Sequence, residues 1–188
     1  RRYNSPGAAQ GGYFMSGRAS QKAETIKLVA LDVDGVMTDG SILFGSQGIA
    51  ETKAFNVKDG LGIKLLQERG IEVAIITGRT SESLERRAVE LGISLLLQGR
   101  EDKGAALVEI LTNLRITASD VAYMGDDLPD LPALNLAGLA ACPSDAVTTI
   151  IEAADWVAPQ PGGQGAVRAL CDFILKAQGY MPYVRSSQ

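Results

Sequence analysis

From residue 72 onward, short apolar runs alternate with longer segments of helical periodicity, and this alternation restricts the fold more than any other feature of the chain. Glu72–Ile76, Ile93–Leu97, Val121–Met124, Leu139–Cys142 and Trp156–Val157 read as strands. Between and after them, Ser81–Leu91 (stopped by Gly92), Lys103–Leu114, Pro129–Ala137, a segment from about Asp145, and Gly165–Gln178 read as helices. Ile26–Leu31 is an earlier strand, ending at Asp32. The strands lack clean polar alternation, as expected when helices cover both faces of a sheet. Strand–helix alternation implies a parallel sheet with right-handed crossovers, a three-layer α/β, Rossmann-like fold. Two elements depart from the repeat. Ser41–Phe44 and Thr52–Phe55 flank the turn-rich Gly45-Ser46-Gln47-Gly48 and predict a β-hairpin. Asp59 is the expected cap of a helix running to Arg69, ended by Gly70. No repeat or linker divides residues 23–180, which are expected to form one domain. Residues 1–22, rich in Gly, Ser and Arg, are expected to be a mobile extension, and 181–188 a tail.

Composition narrows the chemistry. The 188 residues include no histidine, which excludes His general bases, Ser-His-Asp and Cys-His arrangements and His-ligated metals. Cys142 and Cys171 lie 29 positions apart with no third partner, so they suit neither zinc nor a redox pair; two small core residues of a cytoplasmic protein is the simpler reading. Residues 1–27 carry five basic side chains and one acidic, and residues 28–188 carry thirteen basic and twenty-one acidic. So acidic a body argues against nucleic acid as a partner. No apolar run is long enough for a membrane span.

The candidate chemistry collects at predicted strand ends. In an open α/β sheet, ligands bind at the carboxyl ends of the strands. Asp32-Val33-Asp34-Gly35 follows the first strand, Thr77-Gly78-Arg79 the strand at 72–76, and Gly125-Asp126-Asp127, then Asp130, the strand at 121–124; Lys103 opens the helix after the strand at 93–97. Carboxylates gathered without His or Cys suit a hard cation with oxygen ligands, Mg²⁺ above all. Lys103 and Thr77 supply a charge and a donor where phosphoryl charge would build up. Taken singly, each piece has a plainer reading: Asp-x-Asp-Gly and Gly-Asp-Asp are ordinary turns, and Lys103 is an exposed helix-start lysine. Their order and strand-end placement give them weight together.

At these residues the chain resembles the haloacid dehalogenase superfamily, whose four motifs match Asp32-Val33-Asp34-Gly35-Val36, Thr77, Lys103 and Gly125-Asp126-Asp127 in order over roughly residues 26–178. The resemblance implies that Asp32 is the nucleophile, taking the phosphoryl group as an aspartyl-phosphate, and that Asp34 is the general acid and then base. It implies that Asp32, the main-chain carbonyl of Asp34, and Asp126 hold Mg²⁺, and that Thr77, the Gly78 amide and Lys103 hold the phosphoryl group. Asp34 to Thr77 spans 43 positions and Thr77 to Lys103 spans 26, too few for the inserted cap domain that many members carry. An open site of this kind needs a bulky substrate or a wall from a neighbouring subunit, so a homo-oligomer is expected, with the 41–55 hairpin as its contact element.

Longer segments sharpen the resemblance. Lys53-Ala54-Phe55-Asn56-Val57-Lys58-Asp59-Gly60, Ile75-Ile76-Thr77-Gly78-Arg79, Tyr123-Met124-Gly125-Asp126-Asp127 and Gly162-Gly163-Gln164-Gly165-Ala166-Val167-Arg168 are similar to the 3-deoxy-D-manno-octulosonate 8-phosphate phosphatases, tetramers that act on a sugar-acid phosphate in lipopolysaccharide precursor synthesis. This implies a substrate site lined by Asp34, Asn56, Val57, Lys58, Asp59, Gly60, Lys64, Arg79, Arg87 and Lys103. Basic groups suit a substrate with both a carboxylate and a phosphate, although by spacing alone Lys64 and Arg87 read as exposed helix charges. Lys58 and Gln164 stand where that family commonly has Arg. Phosphatases of nine-carbon ulosonate 9-phosphates share the same motifs, and a non-catalytic oligomerisation domain is a third reading, opposed by the complete set of motif residues.

Overall fold

The protein's computed structural model describes residues 17–44 and 51–180. Six parallel strands, β1 (Leu28–Leu31), β2 (Glu72–Ile76), β3 (Leu95–Leu97), β4 (Val121–Met124), β5 (Leu139–Cys142) and β6 (Trp156–Val157), form one sheet in the order β3-β2-β1-β4-β5-β6. The chain leaves β1 in one direction to β2 and returns across it to β4. The strand order therefore reverses at β1, whose carboxyl end is where open α/β sheets bind ligands.

Helices cover both faces, as the apolar strands require. On one face lie α1 (Gly17–Ala23), α2 (Val57–Glu68), α3 (Glu82–Leu91) and α7 (Ala166–Ala177), packed on Val29 and Leu31 of β1 and on Met124 of β4. On the other lie α4 (Lys103–Leu114), α5 (Leu131–Leu136) and α6 (Thr148–Ala153), packed on Leu28, Ala30 and Tyr123. All four β1 residues are buried, two toward each layer, which explains the absence of polar alternation. Among the described residues no cap domain interrupts this framework.

Several boundaries differ from expectation. Residues 17–22, read as part of a mobile extension, belong to α1. Ala19 and Ala23 bury against the face that carries α7, a contact between small side chains that hydropathy patterning does not register. Residues 1–16 and 181–188 lie outside the described residues. Among the described residues the hairpin shows one antiparallel bridge, Leu43 to Thr52, and its tip, 45–50, lies outside them. The cap of α2 is Asn56, whose side chain accepts from Lys58 N at 2.8 Å.

Asp59, the expected cap, instead turns inward. It is buried, and its Oδ1 accepts the Arg168 amide at 2.8 Å in the first turn of α7. Gly165 has no side chain to cap α7, so Asp59 supplies that oxygen from another helix. Burial raises the Asp59 carboxyl above its ordinary value, against the pull of the Arg168 and Gly165 amides.

The loop before α7 buttresses the loop after β1. Gly163 N donates to Val36 O at 2.9 Å, and Asn56 Nδ2 reaches Gly163 O at 3.1 Å. A Cβ at Gly162 would stand 1.8 Å from Gly35 O, against backbone that cannot swing aside. Gly162→Ala is therefore expected to cost about 1–3 kcal/mol, the range for overpacking, read as a lower urea midpoint at unchanged slope; an unchanged midpoint would show that the two loops are not in contact.

Candidate active site

The carboxyl ends of β1 and β4 bring two acidic loops together. Asp32 N continues the strand ladder to Met124 O at 3.0 Å, and Gly125 N does the same to Ala141 O at 3.2 Å. Gly35 has φ +85°, and a side chain there would lie 2.1 Å from Asp126 Oδ2. Only glycine satisfies both the backbone angle and this approach. Carboxylate oxygens of Asp32, Asp126 and Asp130 come within 4.8 Å of one another.

Lys103, at the start of α4, lies between two of them. Its Nζ is 2.8 Å from Asp32 Oδ1 and 2.7 Å from Asp130 Oδ1, with all three side chains buried. Burial works against the ammonium, but Asp32 and Asp130 outweigh it and raise the Lys103 pKa. The exposed helix-start lysine is thereby set aside.

Asp130 joins the parts of this cluster. Oδ1 also accepts from Tyr123 Oη at 2.7 Å, and Oδ2 accepts the amides of Asp126 and Asp127 at 3.0 and 3.3 Å. A single carboxylate thus positions the Lys103 ammonium and shapes the loop carrying Asp126. Its spacing four residues after Asp126 was visible in the sequence, but its role was not. Tyr123 gave no signal, reading as one more apolar strand residue.

Burial and then the Asp130 charge push the Asp32 carboxyl up to about 6, with Lys103 opposing. Burial, Asp32 and Asp130 push Asp126 up to about 7. Among the described residues the Asp126 carboxylate has no hydrogen bond or ion pair of its own. Crowded carboxylates with one left unpaired fit a hard divalent cation, which would offset their repulsion. Both Asp130 oxygens are already engaged, so the carboxylates best placed to ligate are Asp32 and Asp126. The Asp34 side chain points elsewhere, and the expected ligand from that residue was its main-chain oxygen.

Thr77 is buried at the end of β2, its Oγ1 accepting the Arg79 amide at 3.3 Å, while Gly78 is exposed beside it. Asp34 is ion-paired with Lys53, and Arg79 Nε lies 4.0 Å from Asp34 Oδ2. Arg79 also pairs with Glu51, which holds the Glu51 carboxyl below its ordinary range. Lys53 and Glu51 were missed as site residues, because a polar pair on a predicted hairpin reads as solvated.

The other expected substrate residues lie along α2 and α3, where Arg87 lines a cleft with Lys53 and Phe55. Among the described residues, no hydrogen bond or ion pair joins Asn56, Lys58, Lys64 or Arg87 to Asp32, Asp34, Lys103 or Asp126. Val57 is 79% exposed, and Lys58 and Lys64 are exposed. Arg87 crosses over Gly60, where a Cβ would be 2.3 Å from its guanidinium, and donates to Asn56 O at 3.3 Å. Asp59 is buried, with Oδ1 given to the first turn of α7.

Asp130→Ala strips Lys103 of one buried partner and orphans two amides, and is expected to cost about 3–5 kcal/mol. Tyr123→Phe removes one hydrogen bond and should cost about 1 kcal/mol. Urea unfolding checks both, and equal losses would contradict the joining role of Asp130.

Comparison with known proteins agrees with this arrangement. Residues 57–138 match the family model of haloacid dehalogenase-like hydrolases. The chain is 49% identical over 158 residues, 84% of each chain, to the 3-deoxy-D-manno-octulosonate 8-phosphate phosphatase KdsC of Escherichia coli (strain K12). A crystal structure of such a phosphatase from Moraxella catarrhalis, in complex with magnesium ion, phosphate ion and KDO, superimposes with a TM-score of 0.85 at 48% identity, covering 87% of this chain and 94% of that one. The cobalt-bound enzyme from Haemophilus influenzae superimposes at 0.82 with 44% identity, covering 85% and 92%. Two acidic loops meeting at the sheet's switch point, and near-half identity over most of the chain, place it in the haloacid dehalogenase-like hydrolases, in the family of the 3-deoxy-D-manno-octulosonate 8-phosphate phosphatases.

Proposed function

We propose that the chain is a magnesium-dependent phosphatase that hydrolyses 3-deoxy-D-manno-octulosonate 8-phosphate to the free sugar acid and phosphate. The observation that carries this reading is the unpaired Asp126 carboxylate beside the buried Asp32–Lys103 pair, at the edge where an α/β sheet binds ligands. The relatives named for this eight-carbon substrate favour it over a nine-carbon ulosonate phosphate. A domain serving only for assembly would have no use for a buried ammonium among three carboxylates.

Asp32 is the nucleophile. One of its oxygens bonds to phosphorus as the bond from phosphorus to the sugar oxygen breaks, and that oxygen leaves with the electron pair and takes a proton from Asp34. Asp34, now a carboxylate, takes a proton from water as the water oxygen attacks the aspartyl-phosphate, releasing phosphate and restoring Asp32. Lys103, the Thr77 hydroxyl and the Gly78 amide hold the phosphoryl oxygens. Arg79 holds the substrate's acid group. Asp32, Asp126 and the main-chain carbonyl of Asp34 would hold Mg²⁺, which would supply the positive charge that lets a carboxylate approach a phosphate.

The exposed apolar side chains of the hairpin, Ile42, Leu43 and Phe44, the last 84% exposed, favour a homotetramer in which neighbouring subunits cover this arm. The buried free thiols of Cys142 and Cys171 suit a cytoplasmic setting.

Asp32→Asn is expected to lower phosphate release by more than ~10³-fold while the protein stays folded, and wild-type turnover would remove Asp32 from its role. Magnesium should also stabilise the protein in a pH-dependent way. The Asp32 and Asp126 pKa values lie above those of an unfolded chain, so without metal these groups contribute stability at low pH that is lost as pH rises through about 6 to 7. Metal binds the deprotonated forms. The magnesium-induced rise in Tm is therefore expected to be larger at pH 8 than at pH 5, by ~2–4 °C or more; a shift independent of pH would separate the ion from these carboxylates.

A further inference from the structure

The hairpin that leaves the core between Asp34 and α2 sends one side chain back into the active site. Lys53 is 1% exposed at its side chain, its Nζ bonded to Asp34 Oδ1 and 3.0 Å from Glu51 Oε1. Glu51 in turn holds Arg79 through Oε2, and Ser83 Oγ donates to Glu51 O at 3.3 Å, tying the hairpin base to the start of α3. A buried ammonium needs paired carboxylates to offset its lost hydration, and here both of its partners are fixed. Lys53 is too enclosed to hold substrate itself.

We propose that Lys53 is a positioning residue for the proton transfer, aiming the Asp34 carboxyl at the leaving oxygen. With Oδ1 anchored by Lys53, the Asp34 side chain is held in one rotamer, and Oδ2, which Arg79 approaches only to 4.0 Å, is the oxygen left to carry and deliver the proton. Without Lys53, Asp34 would rotate among its staggered wells and the near-attack geometry would be lost. This rests on Asp34 being the general acid, as argued above.

The test compares two esters. A primary-alcohol phosphate such as 3-deoxy-D-manno-octulosonate 8-phosphate needs its leaving oxygen protonated, and 4-nitrophenyl phosphate, with a stabilised phenolate, does not. Lys53→Met is expected to lower kcat on the sugar phosphate by ~10²-fold or more, with KM little changed, and to leave the first-turnover burst of 4-nitrophenolate, which precedes the water attack that needs Asp34 as base, within ~3-fold of wild type. The retained burst also reports an intact fold. Lys53→Arg keeps the buried charge with altered reach, so it should show the same selectivity at smaller size even if Lys53→Met does not fold. Equal losses on both esters, or a loss confined to KM, would overturn the proposal. Asp34→Asn, measured alongside, separates the two readings. If its first-turnover burst is lost equally on both esters, the acid role of Asp34 fails; if the burst loss is selective for the sugar phosphate and that of the Lys53 variants is not, only the role of Lys53 fails.

Discussion

Like charges forced together in a buried place set the terms for the rest of this structure. Asp32, Asp126 and Asp130 crowd within a few ångströms at the carboxyl edge of the sheet, and among the described residues Lys103 is the one cation paired with them. In water such groups would repel weakly; out of water, each ionised carboxyl needs a partner. The protein answers in three ways. Lys103 ties Asp32 to Asp130. Tyr123 and two amides complete the coordination of Asp130. Asp126 stays unpaired, with the capacity to accept a cation.

The framework supplies close approach rather than charge. Gly35 lets the loop after β1 lie against Asp126, and Gly162 lets the loop before α7 lie against Gly35. Asp59 and Asn56, at the start of α2, fasten the same C-terminal loop and the first turn of α7. The start of α2 and the loop before α7 thus converge on one catalytic loop, and residues far apart in sequence share its positioning. The hairpin adds a second kind of support, carrying Lys53 and Glu51 inward while its apolar side chains face outward.

The fold was largely legible before the structure, because buried parallel strands need long apolar runs and helices between them, and both are local patterns. The strand-end rule then brought Asp32, Asp34, Thr77, Lys103 and Asp126 to one edge. What escaped were residues whose meaning depends on a distant partner. Asp59 has the look of a helix cap and is one, but for a helix more than a hundred residues away. Ala19 and Ala23 carry too little hydrophobicity to announce a docked helix. Lys53 and Glu51 resemble surface charges until the hairpin folds over Asp34.

Residue order alone therefore determined the layered α/β sheet, the absence of imidazole chemistry and the five strand-end groups, because each follows from short-range periodicity or from which side chains exist. Only the tertiary structure decided which carboxylate is paired and which is free, that Asp130 joins the cluster, and that Asp34 is held from the hairpin. Those outcomes depend on distances of a few ångströms between segments that the chain brings together only on folding.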